Sequence, residues 1–273
     1  MILTDRARRR RPYRSRRAEA RGNTRLSTLL DFQITPQPDD TTCGPACLHA
    51  VYRYYGDSIS FGQVIREVRL SSGGGTLAVL LGLHALSRGY RATIYTCNLQ
   101  MFDPSWFRPG ASRLRERLIA QAAAKPDPRL AESTSAYLDF LDRGGVVRME
   151  DITAELIARL LERNVPIITG LSATWLYRAK RERPADSAPD DIAGESVGHF
   201  VVVHGLDRQS HNASVADPYL NEPYPARRRY KVNVDHLIGA IALGIVTFDA
   251  KLLVIRAPRT GARSRHADSD RGQ

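Results

Sequence analysis

Three cysteines and seven histidines are the groups in this chain from which covalent chemistry could most readily be built. Cys43 is the one whose surroundings suit a nucleophile. It stands in Thr41-Thr42-Cys43-Gly44-Pro45-Ala46-Cys47-Leu48, with apolar residues continuing at helical spacing to Tyr55 and then Gly56. Proline is tolerated in a first helical turn, a Thr or Asp side chain before it can cap the free N–H groups, and glycine suits the position past the end. The pattern therefore predicts a helix that opens at Cys43. A helix N-terminus favours a thiolate through its partial positive charge, and Gly44 and Pro45 keep bulk away from the sulfur. The competing reading is an inert structural cysteine; the polar, capped surroundings argue against it.

A nucleophilic cysteine also needs a base and a group that orients the base. Val197-Gly198-His199 opens an apolar run, and Asp217 follows the next strand-like run eighteen residues later. If the two runs are adjacent antiparallel strands, the start of one lies beside the end of the next, and His199 can meet Asp217. The alternatives are a packed core histidine and a plain Asp-Pro turn. His204, five residues further along the same run, is the second candidate base. A tetrahedral intermediate needs hydrogen-bond donors at its oxyanion. The backbone N–H of Cys43 is one, and Gln37, six residues earlier in Pro36-Gln37-Pro38, can supply another. Gln33, ten residues before Cys43, is the less favoured donor.

Other groups read more plainly. Cys47 and Cys97 are expected as small core residues, and His84 as a packed one. Cys43 and Cys47 lack a Cys-x2-Cys partner set, so no zinc site is expected. Ser71-Ser72-Gly73-Gly74-Gly75 lacks the Gly-Lys-Ser/Thr ending of a phosphate loop and reads as a rim near the cleft. No cofactor motif is found. Trp106, Trp175 and Tyr177 could line a substrate groove, with core packing as the default. Arg227-Arg228-Arg229 reads as a solvated basic run.

The elements that must position these residues follow from periodicity and turn signals. Helices are expected over 43–55, 60–70, 76–88, 113–124, 129–141, 154–163 and 235–243. Strands are expected over 91–96, 146–148, 165–169, 200–203, 213–216, 231–234 and 252–255. The segment 181–196, with two prolines and seven charges, predicts a long mobile loop. Helices come first and strands gather later, which predicts an α+β fold with an N-terminal helical part packed on a C-terminal antiparallel sheet.

The chain has 273 residues and a net charge of +11, and position matters more than total. Residues 1–25 carry ten arginines against two acids, and 256–273 carry five against two. Residues 26–255 have 25 basic and 25 acidic side chains and are neutral. A nucleic-acid-binding domain should carry its basic stripe on the fold, so that function is not expected; at most the tail is a weak electrostatic tether. The expected organisation is a disordered Arg-rich tail (1–25), one ordered domain (26–255) and a flexible tail (256–273). The longest apolar run is too short to cross a bilayer, and the first 25 residues have no secretory apolar stretch. A cytoplasmic location is expected.

Gln37-Pro38-Asp39-Asp40-Thr41-Thr42-Cys43-Gly44-Pro45-Ala46-Cys47-Leu48 resembles the C39-like cysteine peptidases of the papain-like fold. Gly198-His199-Phe200-Val201-Val202-Val203 and Ala216-Asp217-Pro218-Tyr219 carry the same resemblance, and so do Gly74-Gly75-Thr76 and Gly89-Tyr90 between them. It covers about 31–255 and is greatest to stand-alone bacterial members found with ATP-grasp ligases. It implies a hydrolase acting on a peptide or isopeptide bond through a Cys43 thioester, with a peptide or protein as substrate and an ATP-grasp ligase system as partner. Acyl transfer by the same Cys-His-Asp chemistry and a non-catalytic peptide-binding module are the alternatives. The best-known members cleave double-glycine leaders and are fused to an exporter. This chain differs from them in having no membrane helix and no Walker A motif.

Overall fold

The protein is described from a computed structural model over residues 26–72, 74–108, 113–219, 228–247 and 250–257. The tail expected at 1–25 and all but the first two residues of the tail expected at 256–273 lie outside the described residues, as does Arg227.

Strand β5 (Gly198–Asp207) is the axis of the structure. It is hydrophobic on both faces, as its Phe200-Val201-Val202-Val203 run requires. Phe200 and Val202 point into one apolar cluster; Val201 and Val203 point into a second on the other face. Its neighbours divide their side chains in the same way. Ile168 of β4 (Ile167–Ser172) and Leu253 of β8 (Lys251–Arg256) go to the first cluster; Ile167 and Leu252 go to the second. This is the period-two consequence of a pleated strand. The sheet is thus a middle layer with helices on both sides.

The strand order is β3-β2-β8-β4-β5-β6-β7. The short β1 (Ser27–Leu29) pairs with the far half of β5. Pairings are antiparallel except for β2 (Arg91–Thr96) with β3 (Val146–Met149), which is parallel. One face is covered by α1 (Cys43–Tyr54), α2 (Phe61–Glu67), α3 (Ala78–Ser87), α4 (Leu114–Ala124) and α5 (Pro128–Asp142). The other is covered by α6 (Ala154–Leu161) and α8 (Val234–Leu243). The remaining strands are β6 (Asn212–Ala216) and β7 (Arg229–Asn233), and a single turn of helix, α7 (Ala173–Tyr177), follows β4 directly.

The α+β class expected from sequence is what the structure has. The separation of helices from strands is less strict than the sequence suggests, because β2 and β3 leave the helical half and complete the sheet's edge. The helix over 60–70 is shorter, ending at Glu67, and the last strand runs one residue further, through Arg256. Among the described residues no helix is long and apolar enough to cross a membrane.

Helix α1 is buried along nearly its whole length, from Cys43 to Tyr52, and packs directly on β5. That placement explains Gly44. A methyl group there would collide with the Cγ2 of Thr76 and stand 3.3 Å from Leu81. The glycine keeps the first turn of α1 against the segment after the Gly74-Gly75 loop, more than it clears space around the sulfur. Gly44→Ala should therefore lose about 1–3 kcal/mol of stability through overpacking. Adding Thr76→Ser, which removes the obstructing methyl, should recover most of it in chemical denaturation. An alanine variant with the wild-type midpoint would show that this contact does not constrain the helix start.

Candidate active site

Three segments far apart in sequence meet at one end of β5. Cys43 is the first residue of α1, and its N-cap residue Thr42 makes no side-chain cap bond, contrary to the expected capping. The Thr42 hydroxyl donates back to the Asp39 carbonyl at 3.1 Å, while the Thr42 carbonyl accepts the Ala46 N–H at 2.9 Å. The helix therefore starts with its first N–H groups unclaimed by a side chain, next to the cysteine sulfur. Unclaimed donors and a positive helix end are what a developing anion requires.

His199 lies at the start of β5, and Asp217 follows β6. The antiparallel register, Val202 opposite Ala216, brings them together as the sequence reading expected. His199 Nε2 donates to Asp217 Oδ1 at 2.9 Å. The carboxylate fixes that tautomer, because it can only accept. That leaves Nδ1 for Cys43, which lies close enough to the ring to help raise its pKa. Cys43, His199 and Asp217 are all buried.

Burial on its own disfavours the imidazolium. The charge and hydrogen bond of Asp217, together with the Cys43 contact, outweigh it and raise His199 to about 10. Asp217 shows the opposite balance. Burial pushes its carboxyl up, but His199, the Tyr219 N–H and the Tyr177 hydroxyl hold it below the ordinary aspartate value. The two shifts agree on a charged pair.

Gln37 is buried, whereas Gln33 is exposed. The backbone N–H of Gln37 donates to the Pro218 carbonyl at 2.9 Å, tying its segment to the turn that carries Asp217. Its side-chain Nε2 donates to the Asp39 carbonyl at 3.0 Å, which identifies the amide orientation, since a flipped oxygen would face another oxygen. Nε2 keeps a second hydrogen to offer. Of the two glutamines, Gln37 is thus the buried one tied to the Asp217 turn.

The remaining candidates fall elsewhere. His204 is buried on the far half of β5, with Nδ1 on the Leu30 carbonyl at 3.1 Å and its ring stacked on Phe32. Burial pulls its pKa down, and its bonds tie it to the segment before α1, not to Cys43. The Cys47 thiol is fully buried and donates to the Phe200 carbonyl at 3.3 Å. Burial, reinforced by negative charge on Cys43 and Asp217, pushes Cys47 well up, so it stays a neutral thiol. Cys97 is also raised by burial. His84 is packed as expected, between the Tyr52 hydroxyl and Glu67. Ser72 is clasped by the Glu132 carboxylate through its N–H and hydroxyl, which holds the Ser71–Gly75 loop beside Thr76 and α1. Arg229 reaches the Phe32 carbonyl at 3.4 Å, and Arg228 is exposed.

Two tyrosines at the site were not foreseen. Tyr177 was expected in a groove or a core; its hydroxyl instead donates to Asp217 Oδ2 at 2.7 Å. Tyr230 on β7 donates to the same oxygen at 2.9 Å. The hydroxyl direction is not encoded in a strand's period-two pattern, so the sequence carried little signal for either. Trp106 is half-buried against the first cluster. Trp175 is 48% exposed and stacks on His236 at 5.8 Å. It borders a groove of about 500 Å³ with Ser172, Arg178, Arg181, His236 and Leu243. Ser172 pairs with Gly198, next to His199, so the groove adjoins the His199 end of β5. The long loop at 181–196 folds back on itself, with Glu182 and Glu195 exchanging backbone hydrogen bonds and Arg181 holding the carbonyls of Asp191 and Ile192.

With imidazolium persisting to about pH 10, alkylation of Cys43 by iodoacetamide should show its upper inflection there. Asp217→Asn should bring that inflection down toward about 6.5, the ordinary histidine value. An unchanged inflection, followed by peptide mass spectrometry, would show that Asp217 does not set the histidine's charge. The stability dependence has a fixed sign. The folded-state value of His199 lies above its unfolded value, so its pairing stabilises the fold fully below about pH 6.5. That contribution is lost as pH rises through about 10.

Among solved structures, this chain is similar to a protein assigned as a C39-like peptidase from Bacillus anthracis, at 12% identity and a TM-score of 0.46, covering 85% of this chain and 98% of that one. It is also similar to the peptidase domain of Streptococcus ComA, described as a bifunctional ABC transporter, at 16% identity and a TM-score of 0.38, covering 83% and 98%. A third is xylellain, a cysteine protease from Xylella fastidiosa, at 15% identity and a TM-score of 0.40, covering 86% and 87%. No protein-family model and no curated protein matches the chain.

Proposed function

We propose that this chain is a cysteine peptidase of the C39-like, papain-like type, with Cys43 as nucleophile, His199 as acid and base, Asp217 as orienting carboxylate and Gln37 as oxyanion donor. The observation that carries the reading is the buried relay from Cys43 through His199 to Asp217, set against an uncapped helix start. Its elements supply what amide cleavage needs.

The Cys43 sulfur attacks the substrate carbonyl as a thiolate. The carbonyl oxygen becomes an oxyanion and accepts hydrogen bonds from the Cys43 N–H and the second Gln37 Nε2 hydrogen. Imidazolium at His199 gives its proton to the departing amine nitrogen as the C–N bond breaks, leaving a thioester. Neutral His199 then takes a proton from water, whose oxygen attacks the thioester. The sulfur leaves, and the carboxylic acid product is released. Asp217 holds the ring throughout and keeps its charge.

The substrate is read as a peptide or protein, and the groove beside α7 as the place where one of its apolar side chains sits. Half-exposed Trp175 and Leu243 give that groove its apolar surface, and Arg178 stands at its border. An ATP-grasp partner rests on the sequence resemblance.

Single-turnover cleavage of a responsive peptide from a library tests the chemistry. Cys43→Ser should abolish cleavage while binding survives. Gln37→Ala should fold normally and slow cleavage by about 10²–10³-fold, the usual loss for one oxyanion donor. Full rate in Gln37→Ala, with loss in Gln33→Ala, would move the oxyanion site. Trp175→Ala should raise KM by about tenfold with kcat nearly unchanged, as expected for loss of one well-packed apolar contact of about 1.4 kcal/mol. An unaltered KM would remove the groove from the substrate site.

A further inference from the structure

Among the described residues four donors reach the carboxylate of Asp217, which has no exposed surface, and they are divided unequally in kind between its oxygens. Oδ1 receives His199 Nε2 at 2.9 Å and the Tyr219 backbone N–H at 3.0 Å. Among the described residues Oδ2 receives phenol hydroxyls, Tyr177 at 2.7 Å and Tyr230 at 2.9 Å. These tyrosines come from opposite sides, one from the single turn of α7 and the other from β7. The Tyr177 ring also stacks on Tyr219 at 5.9 Å, and both rings lie about the His199 imidazole, at 6.1 and 5.9 Å. Both phenol hydroxyls are donated to the carboxylate.

We infer that Tyr177 and Tyr230 form a hydroxyl clamp on Asp217 Oδ2 that serves the Cys43–His199 pair as a positioning device, fixing the carboxylate's rotation and keeping its shared proton on the imidazole. The inference rests on the peptidase reading of the same site. A buried carboxylate is stabilised as the anion by each hydrogen bond it accepts. Without the two phenols, Oδ2 would face an apolar pocket as a desolvated charge, and the proton on Nε2 would move to the aspartate. The result is neutral imidazole beside neutral acid, with the same number of protons but no cation next to the sulfur. Burial raises both phenols far above the ordinary tyrosine range, so they remain donors at any working pH. Among the described residues, the titratable groups about Asp217 are His199 from β5, Tyr177 from α7, Tyr219 from the turn, Tyr230 from β7 and, as a neutral thiol, Cys47 from α1. Of these, only Tyr177 and Tyr230 address Oδ2.

The test is the pH dependence of Cys43 alkylation by iodoacetamide in the full chain, comparing wild type with Tyr177→Phe, Tyr230→Phe and the double variant. Phenylalanine keeps the ring and its packing and removes only the donor. Each single change should move the upper inflection, set by His199, down by about one pH unit, and the double change by about two, the size expected for one hydrogen bond to a charge per unit. Phenols that only pack would leave the inflection in place while shifting the melting temperature, and that result overturns the clamp. If the double variant does not fold, the single variants decide by the same inflection. A second readout is the low-field Nε2–H proton signal in histidine-labelled protein, which should be present in wild type and displaced in each single variant. Wild-type Cys43 no more reactive than Cys97 would bring down the peptidase reading itself, and the clamp with it. Reactive wild-type Cys43 with unmoved variants brings down the clamp alone.

Discussion

A carboxylate cut off from water is unstable unless donors replace the solvent it has lost, and Asp217 is such a carboxylate. Its donors come from β5, α7, β7 and the turn after β6. None of these lies near another in sequence except the turn. The charge can be accommodated only when the strands have paired in register and α7 has closed over them. The requirement also runs the other way. A register slip of one residue between β5 and β6 would turn His199 to the opposite face and leave the anion without its strongest partner. The electrostatics of the site and the topology of the sheet are therefore a single constraint.

Cys43 is placed by different means. Helix α1, which it opens, is buried on nearly all sides. Its Cys47, Val51 and Tyr52 pack in the core, and the close approach at Gly44 fixes where its first turn begins. Thr42 turns its hydroxyl back to Asp39 and caps nothing. In a helix selected for stability alone this omission would be a defect. Here it leaves N–H groups free in the place where negative charge would form. The same segment is anchored to the aspartate's turn by the bond from Gln37 to Pro218, so donor, sulfur and carboxylate share one framework.

Much of this was legible in the residues. The strand followed by a turn at Ala216-Asp217-Pro218 and the apolar run after His199 were enough to imply an antiparallel pair, and hence the histidine–aspartate contact. The Gly-Pro start and Gly56 end of α1 were equally readable, and Gly56 does adopt the left-handed conformation expected there. What escaped the sequence was long-range and directional. The parallel pairing of β2 with β3 depends on how two separate segments meet at the sheet edge. The roles of Tyr177 and Tyr230 depend on where a phenol hydroxyl points once both rings are packed. The missing cap at Thr42 was misread because a threonine before a helix usually caps it; here the Asp39 carbonyl competes for the hydroxyl and wins.

The pairing of β1 with the far half of β5 has a practical consequence for anyone wishing to tether this protein. Ser27 lies opposite Asp207, eight residues along the strand from His199, and the Leu26 carbonyl is held by the Arg208 N–H. At roughly 3.3 Å per residue the chain enters the domain about 26 Å from the imidazole. A handle or support that replaces residues 1–25 is thus joined to the domain at the end of β5 away from His199. The junction is anchored as well, so a pull on that attachment loads the β1–β5 hydrogen bonds before it reaches the His199 end.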